Sequence, residues 1–203
     1  IIHFSTGVNQ NLMLQPRNLI VADQQAEVQI IERHQSLSDT EVFTNVVTEI
    51  FTHKGAQVDY YKIQNDHEEA SLVDSTYIVQ QKHSHAKVHT FSFGSRFVRH
   101  NLHFYHKDEA IQSTMKGITL VEGKQLVDHH TLVHHAHPNS ESHQEYKGIY
   151  DGQATGVFNG KIVVEQEAQK TNAFQQNNNI LMSDKATINT KPQLEIFADD
   201  VRC

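Results

Sequence analysis

Histidine is the residue type with the most chemistry to offer in this sequence: 16 of 203 residues, against one cysteine and no tryptophan. The histidines gather as His83, His85 and His89, as His100, His103 and His106, and as His129, His130, His134, His135, His137 and His143. Neutral imidazole is the commonest protein ligand for transition metals. Residues two apart on a strand point the same way, so His83 with His85 and His135 with His137 are the candidate chelating pairs. A zinc site recruits three or four ligands held by further hydrogen bonds. Strand alternation puts His129 and His130, and likewise His134 and His135, on opposite faces. Most of the 16 are therefore expected to be solvated or pairing residues on strand surfaces.

The other chemistry on offer is sparse. Cys203 follows Asp199 and Asp200; it can be read as a soft thiolate ligand or as a small buried apolar residue. Asp128, Asp151, Asp184, Asp199 and Asp200 could supply the paired carboxylates of a glycan-acting enzyme, but most stand beside Asn, Gly or Ser, where turn formation is the simpler account. Neither a Gly-x-Gly-x-x-Gly nor a Gly-x₄-Gly-Lys-Ser/Thr loop is present, so no nucleotide is cradled by a known motif.

The elements that must position these residues show a repeat. Ala26-Glu-Val28, Ala56-Gln-Val58 and Ala86-Lys-Val88 recur at a spacing of 30, and each opens a short β-branched or aromatic run. The step returns less regularly at Ala110-Ile111, Ala154 to Val157 and Ala186 to Ile188. Small residues at recurrent corners followed by period-2 strands describe a solenoid. About seven coils of about 27 residues, stacked at ~4.8 Å, would make a rod of about 35 Å. Val42, Phe43, Val46, Val47, Ile50 and Phe51 also fit one face of a helix, but a segment this dense in Val, Thr, Ile and Phe is expected to be a strand. Gly and Pro are scarce, so Asn65-Asp66, Asn177 to Asn179, Ser183-Asp184 and Asp199-Asp200 are expected to make turns.

Composition narrows the function. A formal charge of −7 argues against nucleic acid as a partner. One cysteine excludes a disulfide framework, a Cys₄ zinc site and a self-sufficient four-cysteine iron–sulfur site, and suits a reducing compartment. No apolar run reaches the ~18 residues of a membrane span. The chain begins at Ile1 and stops at Cys203, and is expected to be an excised or processed piece of a longer protein.

The second half carries a resemblance. Asp128 to Pro138, Ser140 to Gly152, Val157 to Val164, Ala168 to Asp184 and Thr190-Lys-Pro-Gln-Leu-Glu-Ile-Phe-Ala-Asp-Asp-Val-Arg-Cys203 resemble, in order and spacing, the core of the SufB/SufD family of iron–sulfur cluster assembly scaffolds. The last of these runs looks most like the SufD branch. Pro16 to Val21 and Phe43 to Ile50 are weaker but consistent.

The resemblance implies an all-β, right-handed parallel β-helix as a single domain over residues 1–203, with the family's N-terminal and C-terminal helical regions outside it. It implies a non-catalytic scaffold subunit of a cytoplasmic SufBCD complex. That subunit pairs with a SufB-like subunit and acts with a SufC-like ATPase, through which alone ATP would enter. It implies no cofactor held stably by this piece, and a transient cluster at the SufB–SufD interface. Of the family's functional residues only Cys203 carries over, as a cluster-assembly or interface candidate, because the Ser-His-Gly that follows in the family lies beyond it. Homodimer formation stays open, as do two other classes: a polysaccharide-acting β-helix enzyme and a self-associating structural solenoid.

Overall fold

The computed structural model describes residues 1–5, 11–36 and 40–203. Three short strands open the chain: β1 (Ile2–Ser5), β2 (Leu12–Leu14) and β3 (Arg17–Ala22). The strands then come in pairs, one for each of two sheets: β4 (Glu27–Ser36) and β5 (Val42–Thr52), β6 (Gln57–Gln64) and β7 (Ser71–Gln80), β8 (His85–Phe93) and β9 (Phe97–His106). The same alternation continues with β10 (Gln112–Val121) and β11 (Leu126–His135), β12 (Glu141–Tyr150) and β13 (Thr155–Val164), β14 (Asn172–Leu181) and β15 (Thr187–Ile196). One sheet runs β1-β4-β6-β8-β10-β12-β14; the other runs β15-β13-β11-β9-β7-β5-β2, with β3 also on β5. Every pairing is parallel, so the fold is the expected parallel β-helix. Its seven levels span six inter-strand steps, about 29 Å at ~4.8 Å each.

Period-2 patterning builds the interior. β7 and β13 alternate strictly between buried and half-buried residues. Register stacks the inward residues into columns, such as Ile50, Ile78, Phe104, Val133 and Ile162 down one sheet. All five are buried. The ambiguous run Val42–Thr52 is the strand β5, with Val42, Val46 and Ile50 inside. Its helix-like pattern arises because Phe43, Val47 and Phe51 on the outer face are apolar too.

The corners explain the repeat. Ala26, Ala56, Ala70, Ala154, Ala168 and Ala186 each donate a backbone N–H to the carbonyl three residues back, closing a tight turn. One residue before the turn closes, Gln25, Gly55 and His83 adopt positive φ; Ala110, Asn139 and Lys170 do the same at later levels. Each of the six donates its N–H to a carbonyl of the next level, so the parallel ladder continues through the corner.

Two expectations need correction. The 30-residue spacing is structural only at its first step: Val28 pairs with Val58, but Val58 pairs with Ala86, and Ser84 closes the turn that Ala56 closes one level earlier. Coils differ in length from 26 residues (Ser71 to Phe97) to 32 (Thr155 to Thr187), because corners absorb insertions while the inward face is kept. Asn177 to Asn179 lie inside β14 and make no turn. Asn177 donates its side-chain amide to the Tyr146 carbonyl, and Asn179 donates to Asn177 Oδ1, a ladder suited to a terminal strand.

Candidate functional site

The interior is polar along part of its length. Register places Glu32 beside Lys62 on one sheet, and Asp74, His100 and His129 in a column on the facing sheet. All five are buried. Lys62 Nζ donates to Asp74 Oδ1 at 2.6 Å and to Thr76 Oγ1 at 2.5 Å. His100 Nδ1 lies 3.2 Å from Asp74 Oδ2, and its Nε2 lies 3.2 Å from the Ser92 hydroxyl. His129 stacks on His100 and lies 3.0 Å from Thr119 Oγ1. Burial would push the Asp74 carboxyl up, but Lys62 and His100 outweigh it and hold its pKa at about 2.

At the first levels, β1 on β4 places His3 beside His34, with their rings stacked at 4.4 Å. Glu32 and His34, two apart on β4, share the inward face. Glu32 Oε1 lies 2.8 Å from His3 Nε2 and 3.7 Å from His34 Nε2, and accepts from the Asn18 amide at 3.0 Å. Its Oε2 accepts from the Tyr60 hydroxyl and lies 4.0 Å from Lys62 Nζ. Burial would raise the Glu32 carboxyl, yet the bond to His3 and the proximity of His34, with Lys62 and Tyr60, hold it far below the usual carboxylate range. Among the described residues this trio is the cluster whose donor atoms, all within 4.8 Å of one another, could hold a metal ion.

Cys203 sits at the other end of the rod. After β15 the chain turns, Lys170 donates its N–H to the Asp200 carbonyl at 2.6 Å, and Arg202 bridges in parallel to Asn172 at the start of β14. The thiol is exposed. It adjoins a cleft of about 340 Å³ whose lining includes Lys170, Asp200 and Arg202. Partial burial raises its pKa, only partly offset by a backbone hydrogen bond at Ala173. The free thiol is therefore mostly protonated at neutral pH, and a soft metal must displace the proton to bind. β14 and β15 end their sheets here, exposing Ile180, Leu194, Ile196 and Phe197.

Residues 4–203 match the family described as SUF system FeS cluster assembly, SufBD core domain. The chain belongs to this family. The SufBD core is 36% identical over 200 residues to an iron-sulfur cluster assembly SufBD family protein of Synechocystis sp., covering 95% of this chain and 44% of that protein. It is 31% identical to the chloroplastic protein ABCI7 of Arabidopsis thaliana over 193 residues, 93% of this chain and 40% of the relative. It is also 31% identical to the iron-sulfur cluster assembly protein SufD of Escherichia coli over 178 residues, 88% and 42% respectively. The chain thus spans less than half the length of these relatives.

Within the SufBD core the candidate histidine pairs do not come together. His83 occupies a corner at φ 60 and is exposed, whereas His85 begins β8 on the outer face beside Lys87 and Asp59. Burial, with Lys87, lowers the His85 pKa. His135 ends β11 pointing inward, 2.9 Å from Ser142 Oγ, while His137 is exposed past the strand end. The alternation at His129/His130 and His134/His135 is as expected: His130 faces Asp128 and His134 faces Glu165 outside, with His129 and His135 inside.

Most histidines lie outside the core as expected, but His34, His100, His106, His129 and His135 are buried. Their strands place them inward, and hydroxyl or carboxylate partners on other strands make that burial tolerable for His100, His106, His129 and His135. Asp128 is likewise a buried strand residue paired with Arg99 at 2.9 Å rather than a turn former. Glu32 and His34 lie outside the histidine clusters of the sequence. A carboxylate two residues from a histidine inside a strand was the available signal.

Proposed function

We propose that this chain is the β-helix core of a SufD-like scaffold subunit that assembles iron–sulfur clusters with a SufB-like subunit and a SufC-like ATPase. The single observation that carries the reading is the SufBD core match over residues 4–203. The name of the Escherichia coli relative favours the SufD branch. The final level suits pairing with a partner, since the edges of β14 and β15 and the apolar residues around them lie open beside Cys203. In this reading Cys203 contributes one thiolate at the subunit interface, and the partner completes the ligand set of the transient cluster. The subunit holds and positions its cargo without catalysis of its own, and it works in the cytoplasm. No helix among the described residues is long and apolar enough to cross a membrane.

Cluster assembly by the full-length protein with SufB-like and SufC-like partners tests this. Cys203→Ser is expected to lower the yield of cluster, and wild-type yield from the variant would remove Cys203 from the reading. Wild-type protein that forms no complex with a SufB-like subunit would overturn the reading as a whole. The SufC contact is assigned to the helical region outside this chain, so the chain alone is expected not to bind SufC. Tight binding in a titration would overturn that assignment.

A further inference from the structure

We propose that His3, Glu32 and His34 form a binding site for a divalent transition metal ion at the first levels of the solenoid, far from Cys203 and independent of the cluster-assembly reading.

Donor geometry is the first support. Metal–ligand distances near 2.0 to 2.2 Å put neighbouring donors about 2.9 to 3.5 Å apart, across octahedral to tetrahedral angles. The two Nε2–Oε1 separations, 2.8 and 3.7 Å, bracket that range. An ion seated between the three atoms requires the stacked imidazoles to turn out of parallel so that both lone pairs converge on it, and it replaces the proton held between His3 and Glu32. His34 Nε2 is the second support. It is buried, aimed at the trio and without a hydrogen-bond partner, and an unpaired polar nitrogen in such a place is costly unless a ligand satisfies it.

Surrounding residues orient the carboxylate as metal sites require. Tyr60 and Lys62 hold Oε2, leaving Oε1 turned toward both imidazoles, and Asn18 fixes Oε1 from the side. Charge points the same way. Two buried carboxylates, Glu32 and Asp74, stand against one buried ammonium, Lys62, and draw a cation toward the trio. Access comes past His3, the one member of the trio that is partly exposed. Two imidazoles and one carboxylate suit zinc or ferrous iron rather than calcium or magnesium, and leave coordination positions open to an outside ligand.

Titration of the metal-free protein with Co²⁺, followed by its visible absorption and by displacement with Zn²⁺, tests the site. One equivalent is expected to bind with a coordinated-Co²⁺ spectrum, and Zn²⁺ is expected to displace it and raise the thermal midpoint. His3→Ala, at a partly exposed position that keeps the fold, is expected to weaken binding by more than about tenfold, as is Glu32→Gln. His137→Ala is expected to leave it unchanged. Absence of a one-equivalent site, or unchanged binding in a folded His3→Ala variant, would overturn the proposal. Equal loss in His137→Ala would do the same, by showing that surface histidines account for the metal.

Discussion

Lys62 and Asp74 meet inside the solenoid, from β6 on one sheet and β7 on the other, with Nζ 2.6 Å from Oδ1 and both side chains buried. Each charge is the other's nearest opposite charge, which makes the pair a sharp test of the interior.

Asp74→Asn leaves the Lys62 ammonium facing a neutral amide, with Glu32 4.0 Å away as its remaining carboxylate. It is expected to cost about 3 to 5 kcal/mol in denaturant unfolding, whereas the double variant Lys62→Met/Asp74→Leu is expected to lie near wild type or above it. A double variant that loses as much as the single would show that the ion pair itself stabilises the fold.

The buried histidines set the acid limit. Burial lowers the pKa of His106 and His129 well below the ordinary value, with neighbouring histidines adding to the effect, and lowers that of His135 to about 4. The unfolded chain then binds more protons, so the stability these neutral rings contribute is complete above pH 6.5 and is lost as pH falls toward 4. His135 alone accounts for about 3 kcal/mol across that window. His135→Gln is expected to flatten the dependence of unfolding midpoint on pH between 6.5 and 4. An unchanged slope would mean that the ring is protonated in the fold.

Asp74 opens a second acid window. Its folded pKa is depressed to about 2, so the stability held by its ionised form is present above the ordinary carboxylate range and disappears as pH drops from about 4 to 2. Below pH 4 the wild-type curve is expected to fall away from that of the double variant lacking Lys62 and Asp74, which has no such carboxylate to protonate.

Gly117 lies opposite Tyr146 in register, and a Cβ there would run into the Tyr146 ring. Gly117→Ala is expected to cost about 1 to 3 kcal/mol through overpacking, and Tyr146→Leu in the same chain is expected to recover part of it. An Ala variant as stable as wild type would show that the ring has room to move.

Cys203 is exposed, yet its thiol pKa is raised by partial burial. Alkylation by iodoacetamide is expected to go to completion, with a rate whose pH midpoint lies above that of a free cysteine thiol. A midpoint below it would mean that Lys170 and Arg202 stabilise the thiolate.

Much of the architecture was legible because its causes are local. Ala26, Ala56, Ala154 and Ala186 mark corners because each closes a tight turn with its backbone N–H, the last three with buried side chains. The density of Val, Thr, Ile and Phe assigned Val42–Thr52 to a strand, and period 2 separated His129 from His130. The same local reasoning failed at Asn177 to Asn179, where side-chain amides pair along a terminal strand instead of turning it.

The sequence by itself determined the parallel β-helix, its family and the candidacy of Cys203, because alternation, corner residues and motif order are written along the chain. Only the tertiary structure decided which polar residues share the interior. His3 and Glu32 are 29 positions apart, and Lys62 and Asp74 stand on different sheets. Each meeting depends on the register between neighbouring levels, which coils of 26 to 32 residues set one at a time. A shift of two residues, as between Val58 and Ala86, keeps every inward side chain inward while changing all of its neighbours.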